Sequence, residues 1–113
     1  MTQYIPDVGH LVWITLDPQV GREQAGRRPF LVLSPRAYNA KTSLMVGVPV
    51  TSKRKQYPFQ VELPPGGLIT GVAMADQLKS FDWRARRVEH AEVADRTTIR
   101  DVRSLISTLL NLR

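Results

Sequence analysis

Cysteine is absent from the 113-residue chain, and histidine occurs only twice. The lack of cysteine excludes disulfide bonds and zinc sites built on thiolates. The carboxylates and histidines nowhere cluster at the spacing of metal ligands, which argues against a two-metal nuclease. Glycine-rich loops of the Walker or dinucleotide-binding type, which cradle phosphates, are missing as well. We therefore expect a protein that uses neither a metal ion nor a cofactor.

Long apolar runs are also lacking. Runs such as residues 11–14 are far too short to cross a bilayer. Residues 1–9 have neither the basic nor the apolar region of a signal peptide. The chain length and a hydrophobic content of 42% fit one domain with one core, over residues 1–113. The sequence therefore predicts a single-domain cytoplasmic protein with no membrane partner.

Positive charge is spread unevenly along the chain, whose net charge is +6. Residues 22–55 contain eight cations and one acid, a net charge of +7, and residues 79–87 contain four cations and one acid, a net charge of +3. Aromatic residues near these two blocks include Tyr57, Phe59, Phe81 and Trp83. Basic blocks with aromatic side chains suit a polyanion whose bases can stack, such as single-stranded nucleic acid. A solvated basic surface is the alternative interpretation.

Short runs with the composition of β-strands alternate with turn signals along the chain. Strands are predicted at residues 10–16, 29–34, 44–50, 59–63, 71–78 and 84–90. Ser34 followed by Pro35 predicts a helical turn that begins with Ser34 as its N-cap and ends near Asn39. From Ile99 onward, apolar residues recur at spacings of three and four, which predicts an amphipathic helix capped by Asp95. This order predicts a mainly β fold, an SH3-like, partly open antiparallel barrel with a C-terminal helix.

The two tryptophans are expected to differ in burial. Trp13 lies among apolar strand residues and is expected in the core, whereas Trp83 is flanked by charged residues and is expected to be partly exposed. An exposed Trp83 would stack on a base or on a partner side chain.

His10 and His90 lie at predicted strand ends, and nothing in the sequence brings them to one phosphate, as a ribonuclease A-like mechanism requires. A structural or surface role is therefore expected for each histidine.

The residues that remain for chemistry are polar and lie in the first basic block: Glu23, Arg27, Arg28, Thr51, Ser52, Lys53 and Lys55. Metal-free RNA cleavage needs a group that helps to deprotonate the 2′-hydroxyl, positive charge for the phosphorane, and a donor for the leaving oxygen. An arginine beside a hydroxyl and a carboxylate meets these needs, because arginine stays charged and binds phosphate bidentately. The alternative interpretation is that residues 23–29 form only a charged surface loop and that Thr51 is an ordinary residue at a strand end.

Residues 23–29, with the sequence EQAGRRP, resemble the E-Q-A-G-x-R-P loop of the MazF/PemK family of mRNA interferase toxins. The resemblance spans most of the chain in register, through residues 6–13, 32–35, 38–39, 48–52, 57–59, 75–80 and 83–86. The sequence departs from the family pattern around residues 63–70 and after Val88. As a set, these ordered motifs are specific for the family.

The resemblance implies the toxin of a type II toxin–antitoxin pair, a homodimer that cleaves single-stranded mRNA at specific sequences. It implies products with a 2′,3′-cyclic phosphate (or a 3′-phosphate) and a 5′-hydroxyl. The loop arginine and the threonine after V-P-x, which the family uses as its key pair, correspond to Arg28 and Thr51, and the functionally important glutamate corresponds to Glu23. The implied partner is an antitoxin with an acidic, flexible tail.

The chemistry of the remaining residues and the resemblance to the family indicate the same site residues. Arg28 is assigned to phosphorane stabilisation, Thr51 to a non-bridging phosphate oxygen, and Glu23 either to the general base or to orienting a neighbour. The residues expected to bind RNA are Arg27, Ser52, Lys53, Lys55, Tyr57, Phe59, Asp76, Gln77, Lys79, Trp83 and Arg84, with Arg54 as a further backbone contact. Within this set Asp76 and Gln77 would read base edges, which single strands expose. Asp76 is equally typical of a turn.

The competing prediction is that the protein is a non-catalytic SH3-like binding module. The most specific version of this alternative is a gyrase-poisoning toxin of the CcdB type. The loop at residues 23–29 and the position of Thr51 argue against it, because a gyrase poison needs no phosphate chemistry.

The apolar helix face that includes Val102, Leu105 and Leu109 has two interpretations as well. It either closes the core of the barrel or contributes to the seam of a dimer.

Overall fold

The computed structural model of the chain describes residues 3–16 and 27–112. Within these ranges the elements are β1 (His10–Thr15), β2 (Arg27–Val32), α1 (Arg36–Thr42), β3 (Leu44–Thr51), β4 (Gln60–Glu62), β5 (Val72–Met74), β6 (Lys79–Asp82), β7 (Glu89–Val93) and α2 (Arg96–Leu110). The predicted mainly β class with a C-terminal helix is confirmed.

The strands pair antiparallel in the order β4-β5-β3-β2-β1-β7, and β6 pairs with β3 as well. On β3, residues 44–47 pair with β6, whereas Val50 and Thr51 pair with Ala73 and Val72 of β5. Strands β5 and β6 therefore follow one another along the same edge of β3, and the turn between them lies beside residues 48–49 of β3. Since β4 and β7 remain at the edges, the sheet formed by the described residues is not closed, as the sequence predicted.

Side chains of the central strands alternate between two hydrophobic clusters, because successive residues of a strand point to opposite faces. One cluster contains Leu31 of β2 and Val102 of α2, and Trp13 is half-buried against it. The other contains Phe30 of β2 and Trp83. Both faces of the central sheet are thus covered, and polar side chains of β2 and β3 reach solvent at the strand ends.

Helix α2 begins at the predicted cap. The Asp95 carboxylate accepts a hydrogen bond of 3.0 Å from the backbone N–H of Thr97. Val102 and Ile106 are buried in the core, whereas Leu109 is 45% exposed. The apolar face of the helix therefore closes the chain's own core over its first turns and reaches the surface at its last.

The predicted strand at residues 84–90 is wrong. Oδ1 of Asp82 accepts hydrogen bonds of 3.0 Å from the backbone N–H groups of Arg84 and Ala85, and Arg87 has a φ of 56°. The chain therefore turns here, and strands β6 and β7 lie on either side of the turn. Neither β6 nor β7 contains a fully buried residue, so they lack the apolar alternation from which a strand is predicted.

The predicted exposure of Trp83 is also wrong, because only 1% of its surface is exposed. Its indole Nε1 donates a hydrogen bond of 2.9 Å to the carbonyl oxygen of Asn39. The turn directs Asp82 and Arg84 to solvent and Trp83 into the cluster with Phe30, which the charged flanking residues did not indicate. A buried indole has no face free for a base, so Trp83 is not an RNA-stacking residue.

The helix cap predicted at Ser34 is wrong too. Pro35 occupies the N-cap position of α1 and makes no side-chain cap. The buried Ser34 hydroxyl donates to Oδ1 of Asn39 at 2.6 Å and accepts from the backbone N–H of Val46 at 2.8 Å. Ser34 therefore joins α1 to β3 instead of capping the helix.

Candidate active site

Arg28 and Thr51 lie at the ends of two neighbouring strands. β2 and β3 pair with Phe30 opposite Pro49, and Arg28 and Thr51 each lie two residues beyond this pair on their own strand. Side chains two residues apart on a strand share a face. Both residues accordingly line one cleft, so the sheet brings together a guanidinium and a hydroxyl that lie far apart in the sequence.

The cleft lined by Arg28 and Thr51, which we call the apolar cleft, has a volume of about 230 Å³. Its apolar lining consists of Ile14, Leu16, Pro29, Phe30, Pro49, Val50, Met74 and Phe81. Four polar side chains complete it: Arg28, Thr51, Gln77 and Lys79. Drug-sized ligands occupy roughly 300–1,000 Å³, so the apolar cleft suits a group of about the size of one nucleobase. Two cations and a hydroxyl at such a cleft would bind a phosphate of the same nucleotide.

The Thr51 hydroxyl is oriented by the backbone that follows it. Its Oγ1 accepts a hydrogen bond of 3.2 Å from the backbone N–H of Lys53, so its own hydrogen is available for an oxygen acceptor. Gly71 lies against the same strand end with a φ of 119°, where a Cβ would stand 2.3 Å from the carbonyl oxygen of Thr51. Only glycine permits this approach, which packs the Gly71 backbone directly against the end of β3.

The Arg28 side chain is exposed and has no carboxylate partner among the described residues. One of its terminal nitrogens donates a hydrogen bond of 2.9 Å to the carbonyl oxygen of Arg27. A guanidinium has five N–H donors, so most of them remain for a ligand. Its charge is therefore directed by its own backbone and is not neutralised by any acid of residues 3–16 and 27–112.

Arg27, by contrast, is engaged within the fold. Its guanidinium donates hydrogen bonds of 2.9 Å to the Thr15 hydroxyl, to the carbonyl oxygen of Arg87 and to the carboxylate of Glu89. These contacts connect β2 to β1, to the turn before β7 and to β7 itself. The structure thus places Arg27, which the sequence grouped with the RNA-binding residues, outside the apolar cleft and in a network that links strands.

A second, polar cleft of about 150 Å³ adjoins the apolar cleft. Its lining residues are Thr51, Lys53, Lys55, Tyr57, Gln60, Met74, Asp76 and Gln77. Five of the residues expected to bind RNA thus come together here, and Gln77 lines both clefts together with Thr51 and Met74. Met74 was missed by the sequence analysis, because an apolar strand residue in a cleft wall has the same pattern as one in the core.

Tyr57 and Asp76 form a pair in the polar cleft. The Tyr57 hydroxyl donates a hydrogen bond of 2.5 Å to Oδ2 of Asp76, and this bond raises the pKa of Tyr57. Oδ1 of Asp76 is buried and has no hydrogen-bond partner among the described residues. The Tyr57 side chain is 45% exposed, and its ring centroid lies 6.0 Å from that of the half-buried Phe59. The carboxylate therefore faces a tyrosine hydroxyl instead of solvent.

The remaining predicted cations differ in their surroundings. Lys53, Lys55 and Lys79 are exposed and form no ion pair within residues 3–16 and 27–112. Arg54 instead pairs with Glu62, with 2.6 Å between the closest nitrogen and oxygen. The three lysines thus keep their charge for a polyanion, whereas the charge of Arg54 is largely matched.

Three other predicted residues lie outside both clefts or outside the described ranges. Ser52 is exposed beside Thr51 but lines neither cleft. Arg84 is exposed, with its guanidinium carbon 4.8 Å from the ring centroid of Trp83. Glu23 falls within residues 17–26, which lie outside the described residues.

The two histidines lie together, a contact that nothing in the sequence indicated. Because β1 pairs with β7, the ring centroids of His10 and His90 are 4.8 Å apart. The Tyr4 hydroxyl lies 2.6 Å from Nδ1 of His10 and 3.3 Å from Nδ1 of His90. The sequence missed this contact because it did not locate β7. His10 is four residues along β1 from Ile14 of the apolar cleft, roughly 13 Å, so the pair is separate from the site at Arg28.

No helix of the described residues is long and apolar enough to cross a membrane. The same part of the chain contains no group of three or more His, Cys, Asp or Glu side chains that would hold a metal ion.

Comparison with known proteins adds to this geometry. Residues 7–110 match the family described as PemK-like, MazF-like toxin of type II toxin-antitoxin system. The endoribonuclease toxin MazF of Escherichia coli (strain K12) is 52% identical over 86 residues, which cover 76% of this chain and 77% of that protein. The endoribonuclease PemK of Escherichia coli is 38% identical over 106 residues, 90% of this chain and 80% of that protein.

A crystal structure of MazE-MazF from Deinococcus radiodurans is similar throughout. It aligns with a TM-score of 0.89 and 45% identity, covering 98% of this chain and 100% of that one. The match therefore extends over the strands that bear Arg28 and Thr51 and over helix α2. By its sequence and its fold, this chain belongs to the family of PemK-like, MazF-like toxins of type II toxin–antitoxin systems.

Proposed function

We propose that this toxin is an endoribonuclease that cleaves single-stranded mRNA at specific sequences without a metal ion. The ribose 2′-hydroxyl would attack the adjacent phosphorus and leave a 2′,3′-cyclic phosphate (or a 3′-phosphate) and a 5′-hydroxyl. The observation that carries the proposal is that Arg28 and Thr51 line one cleft of about the size of a base. The names of the relatives, endoribonuclease MazF and endoribonuclease PemK, support RNA as the substrate.

Arg28 is the group that stabilises charge in this mechanism. Negative charge develops on the phosphate oxygens as the 2′-oxygen bonds to phosphorus, and preorganised donors that face those oxygens lower the barrier. The Arg28 guanidinium is suited to this because one donor is held by the Arg27 carbonyl while the others remain available. As the P–O5′ bond breaks, the leaving oxygen takes a proton, and the Arg28 guanidinium is our candidate for the proton donor.

Thr51 acts on a different phosphate oxygen. Its hydroxyl would donate to a non-bridging oxygen, since its acceptor side is already occupied by the N–H of Lys53. Lys79 lines the same cleft and adds a second positive charge near the phosphate. The three side chains together supply the charge and the donors that a metal ion would otherwise provide.

Glu23 is our candidate for the general base, with the orientation of Arg28 or Gln24 as the other role. The pH dependence of the rate separates the two roles. A base must be deprotonated to accept the 2′-hydroxyl proton, so Glu23→Gln would abolish or shift the acidic limb of the profile. An orienting glutamate would leave the shape of the profile unchanged and lower only its height.

The decisive experiment uses a defined single-stranded RNA, the purified protein and excess EDTA. Cleavage should persist in EDTA, and an all-DNA oligonucleotide of the same sequence should survive because it lacks the 2′-hydroxyl nucleophile. Cleavage that EDTA abolishes and magnesium restores would overturn the metal-independent mechanism. No cleavage under any condition would favour a non-catalytic binding module.

The proposed setting of this activity is the cytoplasm, with an antitoxin as the partner that controls it. The Deinococcus radiodurans complex of MazE with MazF supports an antitoxin partner. We further propose that the toxin is a homodimer, to which the exposed end of α2 around Leu109 would contribute. Sedimentation at micromolar concentration should then give twice the mass of the chain.

A further inference from the structure

We propose that the two nucleotides flanking the cleaved bond bind in separate subsites, one in the apolar cleft and the other in the polar cleft, where Asp76 positions Tyr57 to stack on the base. The proposal rests on the proposed ribonuclease function and adds the way in which the neighbouring bases are recognised. It also changes the role of Asp76 from a reader of bases to a positioning residue.

The two clefts are neighbours with a common wall. Thr51, Met74 and Gln77 line both of them, so Thr51 stands where one cleft meets the other. A phosphate bound to the Thr51 hydroxyl would therefore have one cleft on each side. Because consecutive bases of a single strand extend from either side of a phosphate, the wall divides their binding places.

The wall is held in place by its backbone. The N–H of Gln77 donates a hydrogen bond of 3.0 Å to the carbonyl oxygen of Met74, and the N–H of Ala75 donates one of 2.8 Å to the carbonyl oxygen of Phe59. These bonds fix the turn that follows β5 against the chain that precedes β4. A base on either side would thus meet a formed surface.

The two subsites differ in chemistry. The apolar cleft is lined by side chains such as Phe81 and Ile14, so it selects a base by shape and apolar contact. The polar cleft has Lys53 and Lys55 to bind the backbone and one exposed aromatic ring, that of Tyr57. Single-stranded nucleic acid is commonly bound in this way, by a positively charged groove with aromatic rings on which bases stack.

Tyr57 is suited to stacking because both ends of its side chain are fixed. Its hydroxyl donates a hydrogen bond of 2.5 Å to Asp76, and the centroid of its ring lies 6.0 Å from the ring centroid of Phe59. A tyrosine on the surface normally loses rotamer freedom when it binds a ligand. Here the Asp76 contact has already imposed that restriction, so a base binds to a preorganised ring.

Asp76 itself presents no free oxygen to a base. One oxygen accepts from Tyr57, and the other is buried. Gln77 is the residue of the wall that is free to read a base edge. Gln77 is exposed, and within the part of the chain that the structure describes its side-chain amide donates only to the sulfur of Met74, at 3.4 Å. A thioether is a weak acceptor that a base readily replaces.

The test combines protein variants with RNA from which single bases are removed. Once the cleaved bond is mapped with the wild-type toxin, each flanking nucleotide in turn is replaced by an abasic ribonucleotide. Tyr57→Ala should lower kcat/KM on intact RNA about ten- to a hundredfold, the range expected for loss of one stacked base. On RNA that lacks the base at one of the two flanking positions, the same variant should lose almost nothing further.

The role of Asp76 is tested by coupling. Tyr57→Phe keeps the ring and removes the hydroxyl, and Asp76→Ala removes its acceptor. Each should lower kcat/KM several-fold on intact RNA, mainly through KM, and the double variant should be no worse than either single one. Additive losses would show that Asp76 acts independently of Tyr57 and would overturn its positioning role.

Two controls keep the outcomes distinct. Tyr38 on α1 is 40% exposed and lines neither cleft, so Tyr38→Ala should cleave every substrate like the wild type. Equal losses for Tyr57→Ala on intact RNA and on both abasic RNAs would overturn the subsite proposal while leaving the ribonuclease function intact. Failure of the wild-type toxin to cleave RNA would instead overturn the proposed function, before any variant is compared.

Discussion

His10 and His90 lie edge to face, with 4.8 Å between their ring centroids, and both direct Nδ1 toward the hydroxyl of Tyr4. The backbone N–H of Asp7 also donates to Nδ1 of His10, at 3.3 Å, and this contact assigns Nδ1 as the acceptor nitrogen of the ring. Burial raises the pKa of Tyr4 to about 12, which keeps its hydroxyl protonated. Tyr4 therefore donates to His10 and leaves its oxygen lone pairs for His90.

We predict that this cluster makes the stability of the toxin depend on pH. Burial, followed by the neighbouring charge of His90, lowers the pKa of His10 below its usual 6.5, while Asp7 acts in the opposite direction. A histidine with a lowered pKa binds fewer protons in the folded than in the unfolded state. Its contribution to stability is therefore present above pH 6.5 and is lost as the pH falls through the folded-state pKa.

Urea unfolding at fixed protein concentration, between pH 7.5 and 5, tests this prediction. The carboxylates with lowered pKa values, such as Asp7, titrate below this range and do not contribute to the slope. The wild type should lose stability on acidification, and His10→Gln should lose distinctly less over the same interval. Equal losses in both proteins would contradict the prediction.

A second prediction concerns the candidate catalytic pair. Arg28→Ala and Thr51→Ala should each lower the rate of cleavage about a hundred- to a thousandfold, the effect of removing one preorganised donor in other enzymes. Neither should change the unfolding midpoint much, because Arg28 is exposed and Thr51 half-buried at a strand end. Single-turnover cleavage and urea unfolding of the same preparations provide both measurements.

The matched control for this pair is an exposed cation far from the cleft. Lys41, in the last turn of α1, serves because it lines neither cleft. Lys41→Ala should retain full activity. If Arg28→Ala and Thr51→Ala also retained it while folding normally, the assignment of the active site would be wrong.

How far the sequence predicts the fold depends on how each element is buried. Strand β3 has buried residues throughout and was located almost to its ends, and the spacing of Val102 and Ile106 located α2. Strands β6 and β7 were misplaced because their side chains face solvent or lie only partly buried, so no apolar period marks them. Trp83 was misjudged for a related reason: the turn, and not its charged neighbours, determines which side chain points inward.

The candidate site was predictable in its residue types but not in its arrangement. Arg28 and Thr51 were recognised from motifs, and the fold brings them to one cleft at the ends of β2 and β3. The difference between Arg27 and Arg28 was not predictable, since adjacent strand residues point to opposite faces and only the fold shows which face holds the cleft. The same holds for Arg54, whose pairing with Glu62 depends on the course of the chain between β3 and β4.

This difference among the cations leads to a third prediction, on the salt dependence of RNA binding. Each phosphate contact contributes about −0.7 to the slope of log affinity against log salt concentration for single strands. Lys53→Ala and Lys55→Ala should each make the slope shallower by roughly that amount, because both lysines line the polar cleft and form no ion pair within the described ranges. Affinity is measured with RNA that carries a 2′-O-methyl group at the cleaved nucleotide.

Arg27→Ala is the matched variant for this experiment. Its three hydrogen bonds lie within the fold, so it should lower stability by about 1 kcal/mol and leave the salt slope unchanged. A slope that changes as much for Arg27→Ala as for Lys53→Ala would show that the ion pair with Glu89 opens to bind RNA. A flat salt dependence of the wild type would mean that the clefts do not bind the RNA backbone.

The last prediction concerns inhibition by the antitoxin. The apolar cleft and the polar cleft together present Arg28, Lys79, Lys53 and Lys55, without carboxylate partners among the described residues. A flexible acidic segment would occupy this surface in place of RNA, with carboxylates where phosphates bind and an apolar side chain in the apolar cleft. Such a segment folds as it binds, and its charge speeds the encounter.

Competition between an acidic antitoxin segment and the 2′-O-methyl RNA tests this mechanism directly. The segment should displace labelled RNA completely, and raising the RNA concentration should raise the apparent inhibition constant in proportion. A segment with Asn and Gln in place of Asp and Glu should bind far more weakly, because it retains the apolar contacts and loses the attraction to the four cations. Simultaneous binding of RNA and the acidic segment would refute the mechanism, even if the toxin cleaves RNA as proposed.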